Sequence, residues 1–100
     1  MRVVNRRKEK ETHYIGRGSV FGNPYRIGKD GTRKDVIRKY EDWIKTQPKI
    51  LKAIYNLPPD AILGCFCVIN SINFIRPNKR CHGEIILEIY KMRYEDYNEM

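Results

Sequence analysis

The chain has 100 residues, of which 41% are hydrophobic and 32% are charged, so it can form one domain with a modest core and is not a disordered chain. The longest mostly apolar run, Ala61–Ile69, is far shorter than the ~20 residues of a membrane helix, and the basic start of the chain does not resemble a secretory signal, which predicts a cytoplasmic protein with no membrane partner. The formal net charge of +8 arises within residues 1–40, where twelve Lys and Arg face four Asp and Glu, so an anionic partner such as a nucleotide or nucleic acid would contact mainly this part.

In chain order, the hydrophobic pattern predicts an α/β fold, in which a small mixed β-sheet packs against helices as a single compact domain over residues 1–100. The basic N-terminal part, residues 1–31, contains two short strands, at 2–5 and 13–15, and a glycine-rich loop. Helices follow over 32–57, with Thr32 and Asp35 spaced as a capping box at their start. A buried strand is predicted over 61–68 and the C-terminal helix over 83–95.

The glycine-rich loop, residues 16–22, holds three glycines around an arginine and a serine. Glycines allow main-chain N–H groups to converge on an anion, and Arg17 and Ser19 would add hydrogen bonds to a phosphate. Asn23 follows the loop and would orient the ligand. The spacing matches neither the dinucleotide-binding fingerprint nor a Walker loop, so a purely structural tight corner is an equal alternative. The ligand-binding candidates here are Gly16, Arg17, Gly18, Ser19, Gly22 and Asn23.

Aromatic residues alternate with arginines in the same basic part of the chain. Tyr14, Phe21 and Tyr25 stand among Arg17 and Arg26. Such a mixture can stack bases while it holds phosphates. An ordinary surface with a few amphipathic tyrosines has the same pattern, so the alternation alone does not decide between the two.

Three cysteines form the second candidate cluster, and their odd number leaves no complete disulfide framework. Cys65 and Cys67 are two residues apart on the predicted strand, so their side chains leave the same face and are further ligand-binding candidates. Cys81 lies at the start of the last helix, where the positive end of the helix dipole would lower the pKa of its thiol.

Three interpretations of the cysteines remain open. Together with His82, the three thiols supply the Cys₃His set that suits Zn²⁺, although the spacing departs from the usual pattern of zinc sites. Alternatively, Cys81 is a catalytic thiolate, with His82 or His13 as the acid or base. In the third interpretation Cys65 and Cys67 are simply small core residues, because free cysteine is among the most buried residue types.

Six short motifs, spread over nearly the whole chain, carry a family resemblance. They are Val4-Asn5-Arg6, Tyr14-Ile15-Gly16-Arg17-Gly18-Ser19, Gly22-Asn23-Pro24-Tyr25, Asp30-Gly31-Thr32-Arg33, Leu63-Gly64-Cys65-Phe66-Cys67 and Cys81-His82-Gly83-Glu84. The chain resembles the phage and bacterial domain of unknown function 4326 family, which is marked by GNP and CHG motifs. The resemblance implies a phage-type protein, located in the host-cell cytoplasm if viral, in which the glycine-rich loop and the cysteines belong to one site. The chain departs from the family in the thirteen residues between Cys67 and Cys81, where the family has a shorter link that contains proline.

These observations lead us to expect a nucleotide- or nucleic-acid-phosphate-binding site where the strand end, the start of the last helix and the glycine-rich loop converge. Arg17 would hold the anion, and Cys81 or His82 would carry out any chemistry. One alternative is a zinc-stabilised nucleic-acid-binding module, with zinc held by Cys65, Cys67, Cys81 and His82. Another is a non-enzymatic adaptor that binds a host or viral protein. A homodimer is compatible with the small core.

Overall fold

Three strands form the sheet at the centre of the domain, in a computed structural model that describes residues 1–68 and 70–99. They are β1 (Arg2–Asn5), β2 (His13–Tyr14) and β3 (Ile62–Cys65), in the order β1-β3-β2, and β3 pairs in parallel with both neighbours. The α/β prediction is confirmed. The three strands are parallel to one another, and an isolated antiparallel bridge joins Val3 and Ile72 at the side of the sheet.

The central strand is shorter than the predicted span of 61–68 and ends at Cys65. Its partners end at the same level, because Asn5 pairs with Cys65 and Tyr14 pairs with Gly64. Beyond Cys65 the chain has no strand to pair with and bends at residues 66 and 67. All three strands are parallel, so their carboxyl ends meet at one edge of the sheet, where ligands collect in folds of this kind.

The helices are α1 (Arg33–Ile44), α2 (Pro48–Tyr55) and α3 (His82–Glu99). The predicted capping box at the start of α1 is confirmed, since the Thr32 side chain accepts from the N–H of Asp35 and the Asp35 side chain accepts from the N–H of Thr32. Tyr40 and Ile44 of α1 are fully buried in the core, together with Ile54 of α2. No helix of the described residues is both long enough and apolar enough to cross a membrane.

The start of α3 packs closely against the sheet, and this contact requires a glycine. A Cβ atom on Gly83 would lie 2.7 Å from Ile15 Cδ1 and 2.8 Å from Val3 Cγ1, which is closer than real Cβ contacts allow. Because residue 83 has no side chain, the preceding residues Cys81 and His82 come directly to the carboxyl edge of the sheet. The helix begins at His82, one residue before the predicted start.

Candidate metal centre and ligand pocket

The sulfur atoms of the three cysteines form a tight triangle at the carboxyl end of β3. Sγ of Cys65 lies 3.1 Å from Sγ of Cys81 and 3.4 Å from Sγ of Cys67, and the Cys67 and Cys81 sulfurs are 2.6 Å apart. Cys65 and Cys81 are buried, and Cys67 is half-buried. No disulfide joins them. The structure therefore brings together three thiols that are sixteen residues apart at most in the chain.

The donor set and its dimensions fit a single metal ion. Zn²⁺ binds cysteine sulfur at about 2.3 Å in a tetrahedron, which places two sulfurs about 3.8 Å apart. The observed separations of 2.6–3.4 Å would open by about 0.4–1.2 Å per pair to hold such an ion. Thiolate sulfur is a soft ligand that prefers zinc to magnesium or calcium. The Cys65, Cys67 and Cys81 cluster is thus compatible with metal binding.

His82 lies at the edge of this triangle with its ring fixed by a hydrogen bond. Its Nε2 is 2.6 Å from the carbonyl oxygen of Ile15, and its Nδ1 is 3.7 Å from Sγ of Cys67. A carbonyl oxygen only accepts, so Nε2 carries the proton and Nδ1 presents its lone pair toward Sγ of Cys67. Metal-binding histidines use the same arrangement, in which the second nitrogen donates to a carbonyl. Burial also lowers the pKa of His82, which keeps the ring neutral as a ligand must be.

The thiols share charge unequally. Hydrogen bonds from Cys67 and Cys81 lower the pKa of Cys65, and donating its bond to Cys65 raises the pKa of Cys67. The pKa of Cys81 is raised, chiefly by its hydrogen bonds to Cys65 and Cys67 and also by burial. The predicted low pKa of Cys81 is therefore wrong. Its sulfur does accept the N–H of Gly83 at the start of α3, at 3.3 Å, but the neighbouring thiols outweigh this helix contact.

A pocket of about 330 Å³ opens above the thiols. Its described lining combines three arginines, three aromatic rings and an apolar wall from α1, and includes no Asp or Glu. The arginines are Arg17, Arg33 and Arg80, and the aromatic residues are Tyr14, Tyr25 and Phe66. Cys65, Cys67 and His82 also line it. One cavity thus joins the glycine-rich loop, α1, the end of β3 and the start of α3.

The predicted loop residues divide into those that line the pocket and those that do not. Gly16, Arg17 and Asn23 line it, whereas Gly18, Ser19 and Gly22 do not. Ser19 Oγ instead donates to the carbonyl oxygen of Gly16 at 2.7 Å, which closes the turn. A Cβ on Gly22 would lie 2.8 Å from that same oxygen. These two residues shape the loop and do not face the pocket.

Two side-chain contacts hold the loop on α1. Asn23 Nδ2 donates to the carbonyl oxygen of Val36 at 3.2 Å, and Asn23 Oδ1 accepts from the N–H of Tyr25 at 2.9 Å. Tyr40 Oη donates to the carbonyl oxygen of Phe21 at 2.8 Å in the core. Asn23, which was predicted to orient a ligand, thus anchors the end of the loop to α1 through its side-chain amide.

Sequence reasoning missed the buried carboxylate that fixes Cys81. Glu84 is 1% exposed, and its Oε2 accepts from the N–H groups of Arg80 and Cys81, at 2.8 and 3.0 Å. The same carboxylate forms two hydrogen bonds with the guanidinium of Arg76. The available signal was the spacing of Cys81 and Glu84, since an acid three residues after an N-cap is the pattern of a capping box.

Arg33 and Arg80 were also missed as pocket residues. They are 47 positions apart, and Arg33 Nη1 donates to the carbonyl oxygen of Arg80 at 3.1 Å. Only the tertiary structure brings the start of α1 against the segment before α3. No local signal marks either arginine among the many of this chain.

The comparisons with known proteins bear on the chain as a whole. Neither the curated proteins nor the solved structures include a significant match to it. A family model described as a domain of unknown function matches residues 2–92, a span that holds the glycine-rich loop, the three cysteines and His82. The chain therefore belongs to the DUF4326 family.

Proposed function

We propose that the protein binds a nucleotide, free or as part of a nucleic acid, in the pocket above a zinc centre. The observation that carries the proposal is a single cavity lined by three arginines, three aromatic rings and two of the three cysteines, Cys65 and Cys67. The arginines supply sites for phosphate, the rings supply a surface for the base, and the thiols supply ligands for the metal.

The phosphate would bind to the arginines. Arg17 comes from the glycine-rich loop, Arg33 from the first turn of α1 and Arg80 from the segment before α3. Guanidinium groups form paired, charge-assisted hydrogen bonds with phosphate oxygens. No carboxylate among the described lining residues competes for them. The charge of +8 within residues 1–40, which include Arg17 and Arg33, attracts a polyanion to the protein.

The base would stack on the aromatic side chains. Tyr14, Tyr25 and Phe66 line the pocket, and Phe66 remains 52% exposed despite its size. The guanidinium of Arg6 lies 4.6 Å from the ring centre of Tyr14 and 5.5 Å from that of Phe66. The planar guanidinium of an arginine can stack on a base, so Arg6 would extend the stacking surface of the two rings.

Zinc would bind at the floor of the pocket, held by Cys65, Cys67, Cys81 and His82. Four protein ligands form a closed site, and closed zinc sites stabilise the fold. The ion would hold together the end of β3, the bend after it and the start of α3, which are the elements that carry the pocket. It would also offset most of the thiolate charge, because three thiolates with Zn²⁺ leave one net negative charge. An anionic ligand could then approach the arginines.

Titration of the zinc-loaded protein with nucleoside monophosphates at low salt, followed by calorimetry, tests the proposal. Arg17→Ala should weaken binding by about tenfold or more, because it removes a charge-assisted contact worth about 1.5–3 kcal/mol. The matched control is Arg26→Ala, because Arg26 is exposed nearby and does not line the pocket. If no nucleotide binds, or if both variants lose affinity equally, the proposal is wrong.

A further inference from the structure

A second cavity, of about 470 Å³, lies next to the pocket described above. The two cavities share four lining residues, Arg33, Phe66, Cys67 and Arg80. The two cavities therefore adjoin each other at these residues, and we call the pair the groove. The groove offers more room than the first pocket alone.

The chemistry of the second cavity matches that of the first. Phe74 lines it and is 57% exposed, and Asn70 and Ser71 provide polar groups beside it. Its described lining includes no Asp or Glu. A stacking ring, polar side chains and positive charge are what a second nucleotide requires.

The junction between the cavities is positively charged. Arg33 and Arg80 border both, and the hydrogen bond from Arg33 to the carbonyl oxygen of Arg80 fixes their relative position. A third cavity also borders these two arginines and is basic too, since Lys34, Arg38 and Lys79 line it beside Asp35 and Glu41. Its described lining has no aromatic ring, however, so a second base could stack only in the second cavity.

We infer that the ligand is a single-stranded nucleic acid of at least two nucleotides. One base occupies the first pocket, the phosphodiester lies against Arg33 and Arg80, and the next base stacks on Phe74 in the second cavity. Both bases leave the stack of a duplex to do so, which a single strand permits at low cost. This inference rests on the nucleotide-binding function proposed above for the first pocket.

The dependence of affinity on ligand length tests the inference. The probes are 5′-phosphorylated thymidylates and uridylates of one, two and four nucleotides, each measured at low salt against the zinc-loaded protein. The dinucleotide should bind about 5- to 150-fold more tightly than the mononucleotide, which is the effect of one added base-stacking contact. The tetranucleotide should add much less. The thymidylate and uridylate series show whether DNA or RNA fits better, and a length effect in either supports the groove.

Phe74→Ala provides the matching variant. It should remove the gain from the second nucleotide while leaving the affinity for the mononucleotide unchanged. Ile75→Ala is the control, because Ile75 is the next residue, is 40% exposed and does not line the second cavity. If mononucleotides bind as tightly as longer ligands, or if the two variants behave alike, the second subsite is refuted while the first pocket stands. If no probe of any length binds, both proposals fail.

Discussion

His82 Nε2 lies 2.6 Å from the carbonyl oxygen of Ile15, a residue 67 positions earlier in the chain. The hydrogen bond joins the start of α3 to the residue just before the glycine-rich loop. It also places the proton of the ring on Nε2 and holds the ring so that Nδ1 faces Cys67. One imidazole thus links the thiol cluster to a wall of the pocket, so loss of the metal centre should disturb ligand binding as well as stability.

Removal of the metal should destabilise the protein strongly. A strong chelator should lower the melting temperature by about 10 °C or more, since the binding free energy of structural zinc is part of the folding free energy. Added zinc in excess of the chelator should restore it. Cys67→Ser should melt low from the outset and respond little to the chelator. A melting temperature that the chelator does not change in the parent protein would contradict the zinc centre.

Acidification of the metal-free protein should destabilise its fold through His82. Burial lowers its pKa below the usual value of about 6.5, so the neutral ring is the form that the fold favours. The stability it contributes is complete above about pH 6.5 and is lost as the pH falls through the lowered folded-state pKa. Thermal melts between about pH 7.5 and pH 5 measure this slope.

His82→Gln should reduce the slope of stability against pH below about pH 6.5, and the slope that remains comes from Cys65, whose pKa is lowered in the fold. The control is His13→Gln, because His13 is the other histidine of the chain and lies on β2, hydrogen-bonded to Thr12. That variant should keep the slope of the parent protein. Equal slopes in both variants would show that His82 does not carry the effect.

Glu84 should be a positioning residue for Cys81. Glu84→Ala leaves Arg76 and two N–H groups without their acceptor, which should cost about 2–4 kcal/mol of unfolding free energy. It should also weaken zinc binding by about 10- to 100-fold, because Glu84 holds the backbone of Cys81, one of the proposed zinc ligands, in place. Denaturant unfolding and competition with a zinc indicator measure the two effects.

Glu41→Ala is the control for Glu84. Glu41 forms an exposed ion pair with Lys45 one turn away on α1, at 3.7 Å, and its loss should cost less than about 1 kcal/mol. Zinc affinity should not change. A Glu84 variant that binds zinc as the parent does would rule out the positioning role.

Gly83→Ala should destabilise the protein although it lies in a helix. Alanine at an ordinary helix position stabilises by up to about 1 kcal/mol relative to glycine. Here the new Cβ would collide with Ile15 and Val3, and such overpacking costs about 1–3 kcal/mol. A neutral or stabilising effect in denaturant unfolding would show that the helix start is not tightly packed on the sheet.

Features set by local chemistry were predictable from the sequence. The capping box needs only Thr32 and Asp35, and both short N-terminal strands are found where the pattern placed them. The shared face of Cys65 and Cys67 follows from strand periodicity, and their sulfurs lie 3.4 Å apart. The last helix begins at His82, one residue before its predicted start.

Features set by tertiary contacts were not predictable in this way. The pKa of Cys81 was predicted from its helix alone, whereas two sulfurs from the end of β3 determine it. The buried strand ends at Cys65 because its partners end there, which no residue of the strand itself reveals. Arg33 and Arg80 meet only when α1 packs beside the segment that leads into α3.

The three cysteines and His82 are proposed to form a zinc centre beneath the pocket. Native mass spectrometry of the protein, purified without chelator or added metal, tests it most directly. The predicted mass is that of the chain with one zinc ion, and His82→Gln or Cys67→Ser should reduce the zinc-bound fraction while His13→Gln should not. A mass of the chain alone, with three free thiols or with one cysteine pair oxidised, would contradict it.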